Sequence, residues 1–506
     1  MSDEQAQSKK TMTFMALILM IFTSVYGITN ITKAFWLMGY ASVFWYVLAA
    51  ILFFIPYALM LGEFGAAFKD YKGGIYSWMA ESVNPKYAFI GIFLWYTSNL
   101  IWMVNVGSGI WIPLSNLIFG EDTTQSWHLF GLNGVQTLGV LGVLLILVMT
   151  YISTHGLDKI KKFTNIGGTM VIVFNVLVFA LGIIILIKNG HFAEPLTAAS
   201  LFHSPNPNYQ TVLQVFSFVV FAIFAYGGLE VLGGVADETE NPEKTFPKAI
   251  MVSAIIIAIM YALGIFLIGA FTNWNFAFTK FGNGEVTMGN VSYVMMNNMG
   301  YQLGLAFGAS DATAMIVGKW IGRLMGLSMF ISLCGAFFTI IFSPLKQLIE
   351  GTPKEIWPKK WTESKNDMPV YAMYIQAAVV CIIILLVAFG GKNAEQFFNI
   401  LVAMTNVSMT IPYMFIAAAF WGFKKRTDIE KPFEVYKKPW TWKLAVIIVV
   451  FVVGFANFFT IIEPAIDGNV SQTIWSIVGP LFFAAVAWYL YSRYEKKHPK
   501  ELDAVH

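Results

Sequence analysis

Charge is scarce in this chain of 506 residues: Asp, Glu, Lys and Arg together make 12% of it, about half the share of a soluble domain. Cysteine is scarcer still. Both of them, Cys334 and Cys381, fall inside apolar segments, so there is no disulfide framework to read. None of the six histidines (His128, His155, His191, His203, His498, His506) lies in an apolar run. That excludes an intramembrane histidine relay and a zinc cluster, and no metal or other cofactor is expected. A GxxxxGKS or GxxxxGKT phosphate loop is missing, which argues against an ATP-driven pump. The GGIY at 73–76 lacks a following strand–helix unit and reads as a turn. A net charge of +3 leaves no footprint for nucleic acid.

What fills the chain instead is hydrocarbon. Hydrophobic residues make 57% of it, in runs of twenty or more that can each cross about 30 Å of lipid. The expectation is an all-α membrane protein, one bundle of twelve transmembrane helices. Spans are read near 11–39, 41–66, 86–117, 133–154, 164–188, 210–236, 248–272, 316–345, 368–390, 394–421, 442–462 and 472–492. The first run follows Lys9 and Lys10, is longer than a signal h-region and has no small-x-small site, so it is expected to be a membrane span and not a cleavable signal.

Basic residues orient the spans. With the N-terminus in the cytoplasm, all but six of the 32 fall in cytoplasmic segments. Lys33, Lys188, Lys280 and Lys392 are placed in outer loops, and Lys319 and Arg323 near the outer start of the eighth span. The positive-inside rule asks for this asymmetry, and one span more or fewer would destroy it. Both termini are therefore expected inside. The basic run 424–426 with Lys431, Lys437 and Lys438 would be a cytoplasmic surface facing lipid headgroups. The stretch 273–315 is expected outside, with a short helix over the outer mouth. The divisions are 1–10, a cytoplasmic tail; 11–188 and 210–421, two five-helix repeats; 442–492, helices 11 and 12; and 493–506, a second cytoplasmic tail.

Two spans carry interruptions. TSVYGITN (23–30) places Gly27, Thr29 and Asn30 inside the first, and FAYGGLE (224–230) splits the sixth. Matched breaks five spans apart point to an inverted five-plus-five repeat with the first and sixth helices unwound at mid-membrane. Unwinding exposes N–H groups on the half-helix that begins and carbonyls on the half-helix that ends. The N–H groups of Ile28, Thr29 and Asn30 are expected to hold a carboxylate, and the carbonyls of Phe224, Ala225 and Tyr226 an ammonium. Close helix packing is the plainer account of Gly227 and Gly228. Glu230 beside them and the matching break at Gly27 favour a binding site. A carboxylate at this depth costs about 3 kcal/mol. Glu230 either titrates during transport or pins the unwound segment by accepting backbone N–H bonds. Asn99, Trp102 and Asn105, spaced by three in the third span, are expected to line the cavity.

GITN, YGGLE, ADETENPEKTFPKAI (236–250), LGEFGAAFKDYKGGIYSW (61–78) and SPLKQLIEGTPKEIWP (343–358) resemble the amino acid–polyamine–organocation superfamily, in register over essentially the whole chain. Within it the chain looks most like the glutamate:GABA antiporter family of bacterial inner membranes. The resemblance implies helices 1, 2, 6 and 7 rocking against a scaffold, helices 11 and 12 outside the repeat, and Phe224 as an aromatic lid over the substrate. An aromatic there can stack on an ammonium or simply fill core. The chain departs from the superfamily in having Gly-Ile-Thr-Asn where many relatives have Gly-Ser-Gly, so the Asn30 side chain can join the clamp. It also has no lysine in 164–187, and only Ser328 and Ser332 as oxygen ligands for sodium.

With no coupling device evident, exchange of one amino acid or related amine for another is expected, with proton symport as the alternative. An enzyme would need a nucleophile–base pair near Glu230, and a channel a continuous polar stripe; the sequence has neither. Glu63 and Lys69 read as a gate or boundary pair. No deep Arg or Lys stands ready for a side-chain carboxylate, which favours neutral amino acids. Membrane lipid and the small-molecule substrate are the expected partners, in a monomer or homodimer.

Overall fold

The computed structural model describes residues 12–281, 286, 288–365 and 368–499. Among them, twelve helical stretches are long and apolar enough to cross a membrane: Phe14–Met38, Ala41–Ala67, Pro85–Phe119, Gly134–Ser153, Ile160–Asn189, Val212–Val235, Pro242–Phe271, Asp311–Gly351, Val370–Phe389, Ile400–Lys425, Pro439–Ile466 and Val470–Lys497. Each coincides with an expected span. An even number of crossings leaves both ends of the chain at one face.

The eighth span overruns its expected end. It is a single helix from Asp311 to Gly351. Ser310 caps it by accepting the Thr313 N–H at 3.3 Å, and Asp311 suits the positive end. Its last turns deliver Ser343, Lys346 and Gln347 beneath the sixth span. The segment 273–315 holds two short helices rather than one, Trp274–Phe281 and Val291–Ala306.

The second span widens into a π turn at Ala50–Phe54. Pro56 follows it, and a proline has no N–H to donate and collides with the carbonyl four residues back. The bulge aims Phe54 at the Tyr226 ring, 4.6 Å between centroids, and brings Phe53 to 5.8 Å from Tyr413. A proline in the second span thus shapes the wall behind the sixth.

Candidate functional site

The first span is two helices, Phe14–Val25 and Ile28–Met38. Between them Tyr26 (φ −87°, ψ 122°) and Gly27 (φ −128°, ψ 118°) are extended. The Tyr261 hydroxyl, from the seventh span, holds this gap. It accepts the Gly27 N–H at 3.1 Å and an Asn30 Nδ2–H at 3.0 Å. The carbonyls of Val25 (3.0 Å) and Ala225 (3.1 Å) also lie within its reach, and its one proton serves one of them at a time. The Asn30 N–H turns back to the Gly27 carbonyl at 2.9 Å. Ile28 and Thr29 open a helix whose cap supplies no side-chain acceptor, so their N–H groups have no intrahelical partner.

The sixth span behaves likewise. Its α-helix ends at Phe224 and resumes as a 3-10 helix, Leu229–Val235. Gly228 has φ +117°, and a Cβ there would lie 2.5 Å from the Ser24 carbonyl oxygen. Only glycine combines that conformation with that approach. A Cβ on Gly227 would meet the Tyr413 hydroxyl at 2.5 Å. The Phe224 carbonyl accepts the Gly227 N–H at 3.0 Å, and the Ala225 carbonyl faces Tyr261. Each carbonyl keeps a second lone pair.

Glu230 is 1% exposed. Its Oε1 accepts the Trp95 indole N–H at 3.3 Å and the Tyr413 hydroxyl at 3.1 Å. No side chain bonds its Oε2, and the backbone N–H groups of Gly228 and Glu230 lie beside the carboxylate. Below it, Gln347 Nε2 donates to the Glu230 backbone carbonyl at 3.3 Å and Ser343 Oγ donates to that of Val231. The 3-10 turn is thus held from the third, eighth and tenth spans.

A cavity of about 1160 Å3 joins the two breaks. Gly27, Ile28, Thr29, Asn30, Phe224, Ala225, Gly227, Gly228, Glu230, Asn99 and Trp102 all line it. Two expected residues do not. Tyr226 turns its ring away, onto Phe54, Tyr46 and Tyr261, and its hydroxyl donates to the Tyr46 carbonyl. Asn105 is exposed and outside the wall. Steps of three fall about 60° short of a full turn each, so two such steps carry it some 120° from Asn99. Lys33, placed above in an outer loop, lies instead within helix Ile28–Met38 and lines the cavity. Ser328 and Ser332 also reach it.

The cavity runs outward to Glu463 and Gln472, at the turn between the last two spans and thus at the face opposite the termini. The termini face is tied by backbone hydrogen bonds and ion pairs. There the Met12 N–H donates to the Glu238 carbonyl and the Met12 carbonyl accepts the Glu240 N–H, each at 3.0 Å, Lys69 pairs with Glu243, and Lys346 meets Asp237 at 3.2 Å and Glu238 at 3.6 Å. Glu63 and Lys69 do not pair with each other. Glu63 Oε2 bonds Lys424 at 2.9 Å, while its Oε1 accepts the N–H groups of Val435 and Tyr436.

Tyr261, Tyr413, Trp95 and Gln347 are site residues that sequence reasoning missed. The two tyrosines stand as lone hydroxyls in the apolar strings IMYALG and IPYMF. Only that isolation marked them among the chain's 21 tyrosines.

Comparison with known proteins places the chain in a family. The amino acid permease family model matches residues 12–483. The chain is 47% identical over 488 residues to the inner membrane transporter YjeM of Escherichia coli (strain K12), covering 96% of each. It is 25% identical to the aspartate/glutamate permease AcaP of Lactococcus lactis, over 79% of this chain and 77% of that one. It is 21% identical to a glutamate/gamma-aminobutyrate antiporter of the same species, over 78% and 72%. Twelve apolar helices and full-length likeness to an inner membrane transporter make it a multi-pass inner membrane protein, and its family and relatives are transporters, not enzymes. The chain belongs to the amino acid permease family of the amino acid–polyamine–organocation superfamily.

Proposed function

We propose that this protein exchanges one amino acid or related amine for another across the bacterial cytoplasmic membrane, by alternating access around its two helix breaks. The observation that carries the reading is that both breaks open into one cavity, with unpaired N–H groups at Ile28 and Thr29 and carbonyls at Phe224 and Ala225. A zwitterion presents its two charges about 3 Å apart, and helix ends of opposite polarity suit it. Phe224, Asn99 and Trp102 would close around its side chain. Breaks five spans apart support a five-plus-five inverted repeat, with the last two spans outside it. The distribution of lysine and arginine supports cytoplasmic termini, which makes the open cavity outward-facing. Relatives named for aspartate/glutamate, glutamate/gamma-aminobutyrate and agmatine/putrescine agree with amino acid or amine cargo.

Counterflow in proteoliposomes tests this. Vesicles preloaded with unlabelled substrate should accumulate label from a panel of amino acids and amines, and empty vesicles should not. Equal uptake into empty vesicles under a pH gradient would replace exchange with proton symport.

One observation favours that second reading. Glu230 is a buried carboxyl in the cavity wall whose Oε2 makes no side-chain hydrogen bond, and a carboxyl so placed can take up a proton. Glu230→Gln separates the two: under exchange the pH profile of counterflow is unchanged, and under symport the response to a pH gradient disappears.

A further inference from the structure

The glycine turn of GGIY leads into the helix Ile75–Ser82 and does not line the cavity. It meets the inner half of the sixth span instead. Gln347, fully buried near the end of the eighth span, joins the two. Its Oε1 accepts the Ile75 N–H at 2.9 Å, a helix-end donor that Gly74 cannot cap with a side chain. Its Nε2 donates to the Glu230 carbonyl at 3.3 Å and to Ser343 Oγ at 3.1 Å. Ser343 in turn donates to the Val231 carbonyl. Lys346, on the same helix face, reaches Asp237 and Glu238 just past the 3-10 segment. Glycines let these backbones close. A Cβ on Gly74, at φ +50°, would lie 2.6 Å from the Gly233 carbonyl, and one on Gly233 would lie 2.6 Å from Gln347 Oε1.

The inner half of the sixth span, Leu229–Val235, is a 3-10 helix of seven residues, long for a helix whose own hydrogen bonds are poor. Bonds from outside hold it. We propose that Gln347 is the pin of an inner lock: its amide holds the 3-10 segment against the eighth span and the helix Ile75–Ser82 while the cavity is open at the opposite face, and releases it when the cavity opens to the termini face. This deepens the alternating-access reading and rests on it. The pin is built to be releasable. Its three bonds are all between neutral groups, each a modest net contribution, so losing them shifts a balance between two states. The segment they hold carries Glu230, so release also moves the carboxyl in the cavity wall. Gln347 itself does not line the cavity; it is a positioning residue.

The experiment places a reporter thiol in the cavity wall, Ser332→Cys, in a full chain whose own cysteines are replaced (Cys334→Ala and Cys381→Ala). A membrane-impermeant maleimide is applied to the outer face in spheroplasts and to the termini face in inverted vesicles. The termini-face labelling rate divided by the outer-face rate reads the balance of the two states, and it needs no cargo. Gln347→Met keeps the length of the side chain and removes all three bonds; it should raise that ratio about tenfold. Ser343→Ala leaves the Ile75 bond in place and should raise it less, about threefold. A lock lowers outer-face labelling as termini-face labelling rises, whereas general loosening raises both. A folded Gln347→Met with an unchanged ratio, or with both rates raised together, overturns the pin. Where Gln347→Met does not fold, an unchanged ratio in Ser343→Ala overturns it. Labelling from the outer face alone, in wild type and both variants, overturns the alternating-access reading as well.

Discussion

The Tyr261 hydroxyl accepts the Gly27 N–H at 3.1 Å. One oxygen from the seventh span thereby occupies the donor that the first helix loses by breaking, and it stands equally close to a carbonyl of each broken helix, Val25 and Ala225. The two breaks are therefore one structural unit.

Tyr261→Phe deletes that oxygen without changing the ring. The Gly27 N–H and the Ala225 carbonyl then lose their partner in a buried setting, which costs about 1–3 kcal/mol for a stranded group. The variant should melt lower in detergent and lose at least tenfold in exchange rate. Wild-type behaviour in both measurements would show that water replaces the hydroxyl and that the tie is dispensable.

The two breaks should answer differently to the same small change. Gly228→Ala forces a Cβ onto a residue at φ +117° and against the Ser24 carbonyl oxygen. Left-handed backbone alone costs roughly 1–2 kcal/mol for a residue with a Cβ, before the collision is counted. Gly27→Ala places its Cβ no closer than 3.4 Å to any atom, in an extended conformation open to every residue. Alanine at 228 should abolish transport and lower the melting temperature. Alanine at 27 should keep most activity.

Ion pairs at the termini face should divide by burial. The side chains of Lys424 and Glu63 are 4% and 0% exposed. Lys424→Met leaves the buried Glu63 carboxylate with only the Val435 and Tyr436 N–H groups as partners, a loss of up to about 3–5 kcal/mol. Lys86 and Glu495 meet at 2.8 Å with both side chains about a third exposed, so a charge-removing change there should cost at most about 1 kcal/mol. Melting curves of Lys424→Met and Lys86→Met, side by side, check the ranking.

Glu194, in the loop after the fifth span, gives a pH signature. Burial pushes its carboxyl above the usual carboxylate range, and the Trp274 N–H, donating at 2.7 Å, pulls weakly the other way. A raised acid is most comfortable protonated. Its contribution to stability is complete below its ordinary value of 4.5 and is lost as pH rises through the folded value. Glu194→Gln keeps an acceptor for Trp274 and cannot ionise. The variant should match wild type near pH 4 and melt higher near pH 7; a gap that instead widens towards acid would reverse the sign.

The spans were legible in the chain because membrane crossing is a local, additive property: twenty apolar residues suffice wherever they stand. Gly27 and Gly227–Gly228 were legible for a similar reason, since a glycine beside polar residues weakens its own helix. The partners at those breaks were not. Tyr261 lies 234 residues from Gly27, and Tyr413 lies 183 from Glu230, so nothing in either neighbourhood marks the other.

The side chains facing the cavity also needed the fold. Asn105 shares spacing with Asn99 and Trp102 yet rotates out of the wall, and Lys33 counts as a loop residue by charge yet faces inward. Composition and order determined that this chain crosses the membrane twelve times and where two of those crossings weaken. Which faces of the helices meet decided everything at the site, because hydrogen bonds and ion pairs depend on positions within a few ångströms that only packing sets.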